Sequence, residues 1–196
     1  MVRIKQSEPA HHLYIISGCN GAGKTTASYT VLPEILDCKE FVNADEIAKG
    51  LSPFNPESVA IDAGKLMIRR IRELLDSRSD FAFETTLAPR NYTHLIDEAH
   101  RKGYVVTLLY FWLETPELAV QRVAQRVRTG GHNIPLPTIY RRYQMGVQNL
   151  FKLYIPIVDH WSIINSSRVE FEIIAEGNKE TLTISNQSVY NKLLTL

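Results

Sequence analysis

The chain has 196 residues, 44% of them hydrophobic, which suits one substantial core at the upper size of a single domain. Its 22 lysines and arginines balance 21 acids to a net charge of +1, which leaves no basic footprint for DNA or RNA. Cys19 and Cys38 form neither a disulfide framework nor a metal-ligand pattern, no apolar run approaches the ~20 residues of a membrane span, and the start MVRIKQSEPAHH lacks an apolar export segment. The expectation is a reduced, cytoplasmic protein with one domain over 1–196, residues 1–11 forming a flexible tail.

LYIIS, Leu13 to Ser17, reads as the first strand and leads into the small-residue run GCNGAGKTT. A helix opens at Gly23 and is ended or kinked by Pro33, which has no N–H for the helix ladder. FVN, Phe41 to Asn43, is a short strand. Asn55 and Pro56 open the longest helix, with Val59, Ala63, Leu66, Met67, Ile71 and Leu74 on one face. FAFETT is the next strand, NYTHLIDEAHRKG a helix closed by Gly103, and YVVTLLYFWL a strand apolar on both faces, hence internal to a sheet. Thr115 and Pro116 cap PELAVQRVAQRVRT, which Gly130 and Gly131 stop, and Pro137 with Thr138 opens a helix through Tyr143, Val147, Leu150 and Tyr154. WSIIN and VEFEII are the closing strands. This order predicts an α/β three-layer sandwich: a mostly parallel sheet of five to six strands, helices on both faces, and ligands beyond the carboxyl ends of the strands. The segment from about 126 to 142 reads as a small arginine-bearing lid.

Gly18, Gly21, Gly23, Lys24 and Thr25 fit G-x-x-x-x-G-K-[ST], placed after a strand and opening a helix. The small residues let backbone N–H groups turn inward around phosphate oxygens, Lys24 reaches the β- and γ-phosphates, and the Thr25 hydroxyl is a Mg²⁺ ligand. The ATP-binding set is therefore Gly18, Asn20, Gly21, Ala22, Gly23, Lys24, Thr25 and Thr26, with ATP and Mg²⁺ as cofactors. Cys19 inside this loop reads as a packing residue, although a thiol at a helix start is open to a lowered pKa. The guanine-reading N-K-x-D pattern and the L-S-G-G-Q signature of transport ATPases are both absent from the sequence.

Asp45 lies just beyond the second strand, on the P-loop edge of the sheet. A carboxylate there can take the proton of an attacking hydroxyl, or cap the helix beginning at EIAK. Glu84, ending FAFE, suits either a Mg²⁺-bound water or the acceptor hydroxyl, and Thr85 and Thr86 continue a polar wall. Glu114 reads as structural. Arg122 and Arg126 share one helix face, Arg128 precedes TGGHNIP, and Arg141 and Arg142 begin the return helix, with no acid between Arg122 and Arg142. Guanidinium groups here would stabilise a transferring phosphoryl group. At least one of Arg126, Arg128, Arg141 and Arg142 is expected on ATP, with Arg128 assigned to catalysis and Arg126 and Arg141 to ATP binding. His132 reads as a turn residue.

SGCNGAGKTT, FVNADEIAKGLSP, FAFETTL, RVAQRVRTGGHNIP and RRY, in this order from Leu13 to Ala175, resemble the small zeta-toxin-like P-loop kinases. The resemblance implies a P-loop kinase fold with parallel strand order 2-3-1-4-5. It also implies ATP and Mg²⁺ on Lys24 and Thr25, Asp45 as general base, and Glu84 with Thr85 on the acceptor; beside Asp45, itself expected on the acceptor, Lys24 and Arg128 are the residues assigned to catalysis from their position in the sequence. Zeta toxins phosphorylate a hydroxyl of UDP-N-acetylglucosamine and are held inactive by a small antitoxin, so a nucleotide-sugar acceptor and an antitoxin partner are further implications. The alternative is an ATP-hydrolysing conformational switch, or a nucleotide-binding module without a small-molecule acceptor, with Asp45 only a cap.

Overall fold

The computed structural model describes residues 10–131 and 133–196; the expected tail through residue 9 and the turn role of His132 lie outside the described residues. Strand β1 (His11–Gly18) begins two residues before the expected LYIIS and runs parallel to β3 (Phe81–Thr85) on one side and β4 (Tyr104–Trp112) on the other. The short β2 (Glu40–Val42) flanks β3, and β5 (His160–Asn165) flanks β4, both in parallel. Two antiparallel strands, β6 (Glu172–Asn178) and β7 (Leu182–Ile184), complete the order β2-β3-β1-β4-β5-β6-β7. The order 2-3-1-4-5 holds, but among the described residues the sheet has seven strands rather than five or six.

Alternation along the central strands divides the core into two layers. Leu13 and Ile15 face Met67, Ile71 and Leu74 of α3 (Ala60–Asp76) and Leu95, Ile96 and Ala99 of α4 (Tyr92–Arg101), all buried. Tyr14 and Ile16 face Ala27 of α1 (Lys24–Thr30), Ala119 and Val123 of α5 (Pro116–Arg128), and Ile139 and Tyr143 of α6 (Leu136–Asn149). Both faces of the sheet are thus covered, as the unbroken apolar run in β4 requires. Helix α2 (Ala44–Leu51) and α7 (Gln187–Leu194) complete the helices among the described residues, and none of them is long and apolar enough to cross a membrane.

Local chemistry accounts for the differences from the sequence expectations. The first helix ends at Thr30, as expected ahead of Pro33, but the chain then widens into a π-turn at Val31–Ile35, where Leu36 N–H reaches Val31 O at 3.1 Å. Pro56 opens a 3-10 turn, Pro56–Val59, and α3 follows from Ala60. The closing strand starts at Glu172, because Val169 stands exposed and Phe171 packs edge-on against Phe111 at 5.5 Å. The last helix, α7, was not expected; its Asn186 side chain caps Val189 N–H, Leu193 is buried, and Lys192 Nζ lies 5.6 Å from the Trp112 ring centre.

Asp159 ties the far end of the sheet together. Its carboxylate accepts from Val106 N–H at 2.8 Å, from Lys179 Nζ at 2.8 Å, and pairs with His100 Nε2 at 2.9 Å. Burial raises its pKa, but Lys179, Val106 and His100 outweigh that and bring it down from 3.8 to about 2. The folded-state pKa is depressed, so the stabilisation is present above the unfolded value and lost as pH falls through about 2. Melting temperature followed from pH 5 to pH 2 is expected to fall more steeply for the native protein than for Asp159→Asn, whose curve starts lower and runs flatter. Parallel curves would remove Asp159 from the acid sensitivity.

Candidate active site

The P-loop leaves β1 at Gly18 in a conformation that a side chain would not permit. Its φ is +138°, and a Cβ there would sit 2.1 Å from the carbonyl oxygen of Phe111 on β4. Gly21, at φ +82°, lies against the Ala119 carbonyl of α5, where a Cβ would approach to 2.9 Å. The two glycines let the loop fold between β4 and α5, beside a cleft of about 440 Å³. Asn20, Gly21, Gly23, Lys24, Thr25 and Thr26 line that cleft, together with Asp45, Glu84, Arg122 and Arg126.

Glu84 is the hub of the site. Its carboxylate, 12% exposed, stands 3.4 Å from Lys24 Nζ and accepts from Thr25 Oγ1 at 2.7 Å and from Asn43 Nδ2 at 2.9 Å. Lys24 also donates to the Cys19 carbonyl at 3.0 Å. The parallel pairing of β1 with β3, which places Ser17 opposite Thr85, brings Glu84 to the root of the P-loop. Sequence reasoning left Glu84 between a metal water and the acceptor; in this structure it stands on the P-loop side, against Lys24 and Thr25. A hydroxyl and a carboxylate oxygen converging at 2.7 Å fit a Mg²⁺ site, since that ion takes one or two protein oxygens and fills the rest with water and phosphate.

Asn43 is the residue that sequence reasoning passed over. Its Oδ1 accepts from Asp45 N–H at 2.8 Å and Glu46 N–H at 3.4 Å, while its Nδ2 holds Glu84. Asn43, not Asp45, caps α2, so the cap reading of Asp45 is corrected: its carboxylate makes no hydrogen bond among the described residues and opens into the cleft. The signal was present in the sequence as Asn43 with Glu46 three positions on, the spacing of a capping box.

The arginines sort differently from expectation. Arg142, not Arg141, reaches the P-loop, donating to Asn20 Oδ1 at 3.2 Å. Burial lowers its pKa and the charge of Asp45 opposes that shift, so the guanidinium and the carboxylate share one electrostatic environment. Arg126 lines the cleft, and Gly131 folds onto its stem with N–H bonded to Arg126 O at 2.9 Å. Arg122 donates to the Ser166 and Ser167 carbonyls at 2.8 Å each and thereby fastens α5 to the loop after β5. Arg128 and Arg141 are exposed and line no part of the cleft. The reason for Arg128 is helical phase: Gln125, Arg126 and Thr129 share the cleft face of α5, and Arg128 falls outside it. The lid turn is tethered, since Ile134 is buried beside Ile139 and Tyr143.

Thr85 is buried, and its Oγ1 accepts from Leu87 N–H at 3.2 Å. It supports a turn in which Leu87, fully buried, takes the left-handed φ of +56°. Asn149 Nδ2 holds the Leu87 carbonyl at 2.7 Å and the Ala88 carbonyl at 3.1 Å, and Tyr154 Oη donates to Pro89 O at 2.6 Å. The strain of a left-handed leucine persists because these bonds over-determine the turn. Cys19 is buried and its thiol is pushed up to about 11, burial outweighing the charge of Lys24, so it stays protonated at neutral pH. Glu114 is structural: it accepts from Asn165 Nδ2 at 3.4 Å, and its N–H donates to Ser167.

The family model described as Zeta toxin matches residues 2–171. The chain belongs to the zeta toxin family. A Haemophilus influenzae relative, described only as an uncharacterized protein, is 28% identical over 143 residues, 73% of this chain and 100% of the relative. Among solved structures, AvrRxo1-ORF1:AvrRxo1-ORF2 with sulphate ions gives a TM-score of 0.77 at 17% identity, and the same pair with ATP gives 0.74 at 17%. Each match covers 94% of this chain and 63% of that chain, so this zeta-toxin member spans less than two thirds of those neighbours. The PezAT chromosomal toxin-antitoxin system of Streptococcus pneumoniae gives 0.66 at 18%, over 99% of this chain and 87% of that one. Fold and family are those of a P-loop kinase.

Two expectations test this geometry. Asn43→Ala removes a cap and a Glu84 donor together, and is expected to cost about 1–2 kcal/mol in a urea titration; a loss below ~0.3 kcal/mol would contradict the double role. Lys24→Ala leaves the Glu84 carboxylate at the cleft root without its cation. Its melting temperature is expected to fall, and Glu84→Gln added to it should recover part of the loss. Strict additivity of the two changes would show that the pair is uncoupled.

Proposed function

We propose that this chain is an ATP-dependent phosphotransferase that moves the γ-phosphoryl group of ATP to a hydroxyl of a small metabolite. Family membership favours a nucleotide sugar of the UDP-N-acetylglucosamine type as acceptor. The observation that carries the proposal is the position of Asp45: a carboxylate relieved of capping by Asn43, opening into the same cleft as Lys24 and Thr25.

In this reading the P-loop N–H groups and Lys24 hold the β- and γ-phosphates. Thr25 and Glu84 would hold Mg²⁺, which when bound neutralises phosphate charge. Asp45 accepts the proton of the acceptor hydroxyl as its oxygen bonds to the γ-phosphorus and the bond to the bridging oxygen of ADP breaks. Arg126, which lines the cleft, and Arg142, which is bonded to Asn20 of the P-loop, are the guanidinium groups that stabilise the charge spread over the transferring oxygens. The ATP-bound AvrRxo1-ORF1 neighbour supports the nucleotide assignment, and the PezAT system supports a small protein partner as antitoxin. A cytoplasmic location belongs to the same proposal.

Because Asn43 caps α2, Asp45→Asn should leave the melting temperature unchanged. Phosphoryl transfer to an acceptor found by screening nucleotide sugars, nucleosides and cofactors with γ-labelled ATP is expected to drop by ~10² to 10⁴, with ATP affinity in calorimetry held within a few fold. Undiminished transfer in the folded variant would remove Asp45 as base. Labelled phosphate released only as inorganic phosphate across the whole screen would favour a hydrolytic switch.

A further inference from the structure

The apolar stripe of α3 is wider than the core beneath it can cover. Ala63, Met67, Ile71 and Leu74 are buried, while Ile61, Gly64 and Ile68 continue the stripe around one side of the helix, where Ile61 is 77% exposed and Ile68 only half-buried. With Pro89 and Tyr92, where the chain enters α4, these residues line a groove of about 710 Å³. Tyr154 Oη holds the Pro89 carbonyl at 2.6 Å, and the Tyr92 ring packs against that of Phe83 with centres 5.0 Å apart. The groove is built on fixed parts.

Gly64 has no use inside this chain. A glycine within a 17-residue helix costs stability relative to alanine, yet a Cβ placed there would meet nothing within 4 Å, so no neighbour requires the gap. The notch lies on the groove, where a missing side chain lets another backbone come close. Charge marks the same place. Lys65, Arg69 and Arg72 also line the groove, and its two acids are already engaged: Glu73 by Arg69 at 3.8 Å and Arg70 at 3.4 Å, Asp76 by Lys102. Lys65 meets Asp62 at 3.3 Å in an exposed pair weak enough to open, and Arg72 makes no hydrogen bond or ion pair among the described residues. From Ile61 to Asp76 the groove follows α3 for ~22 Å, about four helical turns.

We infer that this groove is the docking surface for an acidic amphipathic helix of another protein. The apolar face of that helix closes over Ile61, Ile68 and the Gly64 notch, and carboxylates along its flank meet Arg72 and Lys65, the helix-in-groove mode of recognition. The groove shares no lining residue with the cleft at the P-loop, so the inference goes beyond phosphoryl transfer and stands without it.

The probe is a phage-displayed helix of about 18 residues, randomised over one face, selected on the wild-type chain and counter-selected on Ile61→Asp. Survivors are expected to carry small and apolar residues in a stripe with glutamate or aspartate beside it. A synthetic survivor, followed by fluorescence anisotropy, should bind Gly64→Leu and Arg72→Glu at least tenfold more weakly than wild type, and exchanging its acids for lysine should restore binding to Arg72→Glu. Gly64→Ala and Gly64→Leu should melt no lower than wild type, and ATP affinity in calorimetry should stay unchanged in every variant. Four results would overturn the inference: no survivor, survivors without acids, undiminished binding to Gly64→Leu, or a lower melting temperature for Gly64→Ala, which would return the glycine to the fold. Sedimentation showing a wild-type dimer that Ile61→Asp dissociates would overturn it as well, and assign the groove to a second copy of this chain.

Discussion

Glu84 is the constraint on which the site depends. One carboxylate at the end of β3 meets Lys24 and Thr25 of the P-loop and Asn43 ahead of α2. Those groups come from three segments that are remote in sequence and converge only because β3 lies between β2 and β1. Buried carboxylates are costly unless paired and hydrogen bonded. Here a cation, a hydroxyl and an amide meet that need, and the same contacts fix the distance between the phosphate loop and the helix that presents Asp45. Structural satisfaction and catalytic geometry are one arrangement.

Much of this was legible in the sequence because it rests on local patterns. The P-loop shows in its spacing, β4 in its unbroken apolar run, and the ends of α4 and α5 in glycines that follow the last periodic residue. Pro33 marked the end of α1, but the π-turn that carries it had no pattern of its own, because a proline excludes a regular ladder and tolerates a widened one. The closing strand was set too early because Phe171 is apolar for a contact with Phe111, not for strand alternation. The final strand and helix gave weak signals: β7 has three residues, and α7 buries only Leu193.

Within the site, residue type was legible and direction was not. Arg128 and Arg141 satisfied every compositional argument for a phosphate clamp, yet one residue along a helix rotates a side chain by ~100°. Arg142 rather than Arg141 therefore meets the P-loop. Asn43 was hidden for another reason. Its importance lies in bonding at both ends, to the α2 amides through oxygen and to Glu84 through nitrogen, and only the first half has a sequence signature.

Helix α6 has a role that its burial alone does not reveal. At its middle Arg142 bonds the phosphate loop, and at its last residue Asn149 grips the Leu87 and Ala88 carbonyls of the turn that follows Glu84 and Thr85. Two helical turns, ~10.5 Å of nearly incompressible rod, stand between these grips. The helix acts as a spacer gauge: it sets how far the guanidinium bonded to the phosphate loop lies from the strained turn at Leu87. A tilt of the helix at Arg142 would be felt at Leu87 through the Asn149 amide at its far end.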